Sequence, residues 1–81
     1  MKQARVSEII LPYRKGLPLH PSLALHDRIT RAIKVMLEYE IEEITVTRNI
    51  RPIGRVRIGD ALQKLGLYQL RGRAIREDTT V

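Results

Sequence analysis

No cysteine, tryptophan or phenylalanine occurs among the 81 residues of this chain. Without cysteine there is neither a disulfide nor a thiolate metal site to staple a small domain. Without Phe or Trp the core must be assembled from Ile, Leu, Val, Met and Ala. Aromatic stacking on single-stranded nucleic acid is poorly served too, since no aromatic is interleaved with Arg48, Arg51, Arg55 and Arg57. Long apolar runs are also missing. Nothing approaches the roughly 20 apolar residues of a membrane span. The apolar residues 6–11 are interrupted by Ser7 and Glu8 and end at Pro12, so they do not read as a signal peptide. On this reading the chain is soluble and cytoplasmic, with no membrane partner. Catalysis is not expected: there is no Cys, no placeable carboxylate pair, and no Ser or His with a base at working spacing. His20 and His26 stand six apart without a carboxylate or Cys at ligand spacing, so no metal site is expected.

What is present is charge and aliphatic patterning. A chain this short is one domain that buries only about 60% of its unfolded surface, which makes self-association the natural source of further burial. The net charge of +6 invites anionic partners. Its distribution is divided, with basic residues in the N-terminal arm, at residues 48–57 and in the tail (Arg71, Arg73, Arg76). Between them lies an acidic cluster, Glu38, Glu40, Glu42 and Glu43.

Read in order, residues 1–16 form an arm in which Val6, Ile9 and Ile10 share one face of a short helix. Residues 17–25 alternate apolar and polar but contain Pro18 and Pro21, which predicts an edge strand or extended segment. Asp27 is placed to cap a helix whose apolar stripe is Ile29, Ala32, Ile33, Met36 and Leu37, with Lys34 and Glu38 as an i,i+4 pair. Ile41 packs at its exit. A strand over residues 45–48, a turn over 49–52, and a second apolar run through Ile53, Val56 and Ile58 follow. Gly59-Asp60 then opens a helix through Ala61, Leu62 and Leu65 that ends at Gly66. Leu67, Tyr68 and Leu70 make a last apolar patch, and residues 68–81 read as a basic, frayed tail. The predicted fold is a small α/β unit ordered strand, helix, strand, strand, helix over residues 17–67. Such a unit has two exposed edges and one uncovered face unless it pairs.

These residues, in this order, resemble a CBS domain, the small repeat of cystathionine β-synthase and many regulatory proteins. The resemblance rests on Ala32-Ile33-Lys34-Val35-Met36, Ile41, Ile44-Thr45-Val46, and Gly54 through Leu62 with Asp60 at the signature carboxylate. Val6-Ser7-Glu8-Ile9-Ile10 is similar to the family's lead-in helix. The chain departs from the pattern at Glu40 (usually Gly), Thr45 (usually Pro) and Arg57, which stands where the Ser/Thr-x-x-Asp signature has a hydroxyl. The resemblance implies two motifs about a two-fold axis, as in a Bateman module, with ligand clefts between them. One motif without an internal repeat implies a homodimer, with Ile33, Met36, Leu37, Leu62 and Leu65 assigned to the dimer contact.

The leading expectation is therefore a regulatory module that binds an adenosine-containing nucleotide (AMP, ATP or S-adenosylmethionine), needs no cofactor, and acts on a protein target. Asp60 takes the ribose, and Arg57 with Arg55 the phosphates. Leu19 and His20, with Ile44, Thr45 and Val46, hold the adenine. The alternative is a ligand-free dimerisation scaffold, favoured by Arg57, which can fill the cleft or pair with Asp60. Nucleic-acid binding through the basic arm and hairpin is a third reading, with a steep salt dependence as its signature.

Overall fold

The computed structural model describes residues 4–66. The apolar patch at Leu67, Tyr68 and Leu70 and the basic tail lie outside the described residues. The elements are β1 (Ser22–Ala24), α1 (Ile29–Glu38), β2 (Glu43–Arg48), β3 (Arg51–Arg57) and α2 (Ile58–Lys64), after a 3-10 turn at Val6–Glu8. This is the strand, helix, strand, strand, helix order expected. The sheet runs β1-β2-β3, with β1 parallel to β2 and β3 antiparallel to it. The two helices pack together against one face.

That face follows from alternation along the strands. Ile44 pairs with Val56 and Val46 with Gly54, so these side chains point together. They meet Ile29, Ala32, Ile33 and Met36 from α1, Ala61 from α2, and Leu23 and Val6 in one buried cluster. Leu37, assigned to the same stripe, is 62% exposed. At 100° per residue it stands about 80° from Ile29, at the margin of the apolar arc. Lys34 and Glu38 make no ion pair with each other. Arg31 instead pairs with Asp27 at 3.5 Å.

Asp27 does not cap α1. The N-cap is Arg28, without a side-chain hydrogen bond. Asp27 folds back, its carboxylate accepting from the Ala24 backbone N–H at 2.8 Å. The first amide of α1, on Ile29, donates to the Ala4 carbonyl, and the arm supplies the partner that a cap would have given. At the other end the chain leaves in a Schellman turn: Glu40 N–H donates to Leu37 O and Ile41 N–H to Met36 O. The turn puts Glu40 at φ 55°, a conformation that favours glycine. Glu40→Gly is therefore expected to raise stability by about 1 kcal/mol, seen as a higher urea midpoint at unchanged slope.

The arm is part of the domain. Val6 is fully buried, its N–H bonded to Asp27 O at 2.8 Å, and Glu8 pairs with Lys64 of α2 at 3.1 Å. Its helix is shorter than the spacing predicts, a single 3-10 turn. Leu11 then forms an antiparallel bridge with Arg55, using both backbone bonds at 2.9 Å, and so covers part of the outer edge of β3. From there residues 12–18 cross the face opposite the helices, so that face is not left bare. The hairpin is tighter than expected. Its loop is only Asn49-Ile50, and Pro52 lies within β3. The second helix also starts earlier, at Ile58, with Arg57 as N-cap and Asp60 in its first turn. Gly66 ends it at φ 82°, as expected.

Candidate functional site

Where residues 12–18 cross the sheet they leave a cleft of about 440 Å³ against the start of β2. Its apolar wall is Leu17, Pro18, Pro21 and Ile41, its polar groups are Arg14, Glu42, Glu43 and Thr45, and it reaches Ile44, whose side chain is buried on the helix side. The volume lies within the range of small-molecule sites, about 300–1,000 Å³, with the mix of an apolar wall and few polar groups that such sites have. Local sequence explains the placement. Pro18 and Pro21 have fixed φ in a segment that turns at Lys15-Gly16 and bends over residues 19–21. The left-handed Glu40 turns Ile41 back toward the sheet, and β2, as the central strand, fixes Glu43, Ile44 and Thr45.

Thr45 is buried, and its hydroxyl donates to Pro18 O at 2.6 Å. That bond fastens the crossing segment to β2. Glu43 is the electrostatic centre. Its carboxylate pairs with Arg14, and Arg55 Nε stands 3.7 Å away. Arg57 is its partner across the β2–β3 ladder. The hydrogen bond from Arg14 is the main cause that holds Glu43 below the ordinary carboxylate pKa. Burial opposes it, and the charges of Arg14, Arg55 and Arg57 reinforce it. Arg55 Nη1 donates to Pro12 O at 2.5 Å, whereas its buried Nε–H has no hydrogen-bond partner among the described residues. Because the folded pKa is lowered, Glu43 contributes its stabilisation fully above its unfolded value near 4.5 and loses it as pH falls through the folded one. Glu43→Gln is expected to lower stability at neutral pH by under about 1 kcal/mol, as suits a partly exposed pair. That difference should shrink below pH ~4.5 in urea titrations of both proteins at a series of pH values.

The residues assigned to nucleotide binding are divided by the structure. Ile44 and Thr45 line the cleft, and Arg55 and Arg57 stand beside its Glu43. Val46 is fully buried on the helix side and offers no surface. Leu19 and His20 are exposed between the two lining prolines but do not line the cleft. His20 meets Tyr39 edge-on at 6.3 Å between centroids. Asp60 lines a different cleft, of about 480 Å³, with Glu8, Ile9, Ile10 and Leu11 of the arm and Gln63 and Lys64 of α2. Asp60 thus faces the arm, whereas the first amide of α2, on Ile58, donates to Glu42 O at 2.9 Å beside the start of β2.

Arg14, Leu17 and Glu43 were not assigned to a site by sequence reasoning. Arg14 and Glu43 are 29 residues apart, and no local pattern links them. Of the residues assigned to a dimer contact, Met36 is fully buried in the chain's own core and Ile33 nearly so, so Met36 has no surface for a partner. Leu62 is half-buried, and Leu37 and Leu65 are exposed.

Among the described residues no group of three or more His, Cys, Asp or Glu is placed to hold a metal ion, and no helix is long and apolar enough to cross a membrane. The chain matches no protein-family model, no curated protein and no solved structure.

Proposed function

We propose that the chain is a non-catalytic regulatory module that binds an adenosine-containing nucleotide, works as a homodimer of CBS type, and transmits occupancy to a protein target. One observation carries this reading. Of the residues that the resemblance assigns to the adenine, Ile44 and Thr45 lie at a cleft of ligand size, and Leu19 and His20 stand in the chain between two of its lining residues, Pro18 and Pro21. Arg14, Arg55 and Arg57 around its mouth supply positive charge for phosphate oxygens. Asp60 enters the proposal less directly than the resemblance implies, because it stands in the neighbouring cleft.

The test is titration calorimetry with AMP, ATP and S-adenosylmethionine, with the mass in solution measured alongside. Micromolar binding by a dimer supports the proposal. Leu17→Trp, which fills the cleft from the crossing segment without entering the core, is expected to weaken that binding at least about tenfold at unchanged circular dichroism. Absence of heat with all three ligands would count against it.

A second reading, a ligand-free dimerisation scaffold, draws on Glu43. That carboxylate already engages Arg14 and stands beside Arg55, so the positive groups are neutralised from within the chain. A folded dimer that binds none of the three ligands is the result expected of it.

A further inference from the structure

Two exposed patches at opposite ends of β2 are unfavourable for the chain that carries them and complementary to each other. At the far end is the β2–β3 hairpin tip. Ile50 is 86% exposed and has φ 70°, a left-handed conformation that is rare for a β-branched residue and that two-residue hairpins reserve for glycine. On either side Arg48 and Arg51 stand directly opposite across the ladder, like charges in register. Neither makes a side-chain hydrogen bond or an ion pair among the described residues.

At the near end is the exit of α1. Glu38, Glu40 and Glu42 are exposed and likewise unpaired among the described residues. Leu37, 62% exposed, and Tyr39, 49% exposed, alternate with them along the chain. Glu38, in the last turn of α1, also faces the negative end of the helix dipole. One patch is apolar between two cations, and the other is apolar among three carboxylates. The strand between them is six residues long, about 20 Å, so one copy cannot bring its own two patches together.

We propose that the hairpin tip of one copy, Ile50 flanked by Arg48 and Arg51, docks on the Leu37–Tyr39 surface of a second copy, among Glu38, Glu40 and Glu42. Two copies laid antiparallel make this contact twice and close a pair. The contact is small, which makes it weak and dependent on concentration, and its charged rim makes it sensitive to salt. Of the cleft residues it involves Glu42 alone, and it does not rest on nucleotide binding.

The test is sedimentation of the full chain. Association is expected at about 50 mM salt and should weaken at least about tenfold at about 500 mM, where screening is short-ranged. Arg48→Glu with Arg51→Glu should abolish this salt-sensitive association, as should Glu38→Lys with Glu40→Lys. An equimolar mixture of the two double variants should associate, because each tip again meets an opposite charge. Ile50→Ser changes no charge and should also weaken association, which separates docking from general attraction between oppositely charged proteins. Each variant is checked for folding by circular dichroism. A wild-type chain that is monomeric under all these conditions would overturn the proposal. So would a dimer indifferent to salt and to both double variants, or a mixture no more associated than its parts. An unchanged affinity for Ile50→Ser would overturn it as well.

Discussion

Gly54→Ala is expected to destabilise the chain by about 2–3 kcal/mol, a large share of what a domain of this size has. A β-carbon at this position would stand 2.4 and 2.5 Å from the side chain of Ile10 and 2.6 Å from the carbonyl oxygen of Leu11. Ile10 can swing aside. Leu11 cannot, because that carbonyl accepts the Arg55 N–H at 2.9 Å and is half of the bridge covering the edge of β3. The glycine is needed for space here, not for backbone freedom, since it is absent from the positive-φ glycines. Urea unfolding followed by circular dichroism measures the loss. Adding Ile10→Ala should recover part of it, since the two substitutions share one contact and will not be additive. A Gly54→Ala chain within about 0.5 kcal/mol of the wild type would mean that residues 10–11 do not lie over β3.

Met36→Ala should cost a similar amount, about 2–4 kcal/mol, from lost transfer free energy and the cavity left among Ile29, Ile44, Val46 and Val56. Its neighbour supplies the control. Leu37→Ala, on an exposed side chain, should change monomer stability by no more than about 0.5 kcal/mol. The pair tests which face of α1 is inside. A Met36 that served a partner instead would give the opposite result, with association lost and monomer stability kept.

The contrast between these two residues shows what could be read from the chain. The helical stripe through Ile29, Ala32, Ile33 and Met36 was legible because 3.6-residue periodicity is local. The stripe's edge was not, because a period alone does not say how wide an arc the sheet covers. Gly66 was legible as a helix end for the same local reason. Asp27 was misassigned because two local partners competed for one carboxylate, and the turn amide of Ala24 won over the helix terminus. The short hairpin was hidden by Ile50, a residue that its turn type disfavours.

The site was harder to read than the fold, and the reason is sequence distance. Ile44 and Thr45 were found through a resemblance that places them on β2. Arg14 and Glu43 meet only because the bridge at Leu11 and the prolines carry residues 12–18 across the sheet, and no short-range signal marks that crossing. Asp60 stands apart because residues 8–11 of the arm line its cleft with α2. A motif written along one strand and one helix carries no record of how the arm packs on α2.

The most direct measurement is a titration of the isotope-labelled chain with AMP, followed by backbone amide resonances. The account predicts that the amides of Leu17, Leu19 and His20 and those of residues 41–45 shift together and saturate. Those of the second cleft, at Ile9, Ile10 and Gln63, should shift little. Saturable shifts confined to Asp60 and its neighbours would move the site to the second cleft. No saturable shift anywhere, from a folded chain, would contradict the nucleotide-binding account and leave the scaffold reading in its place.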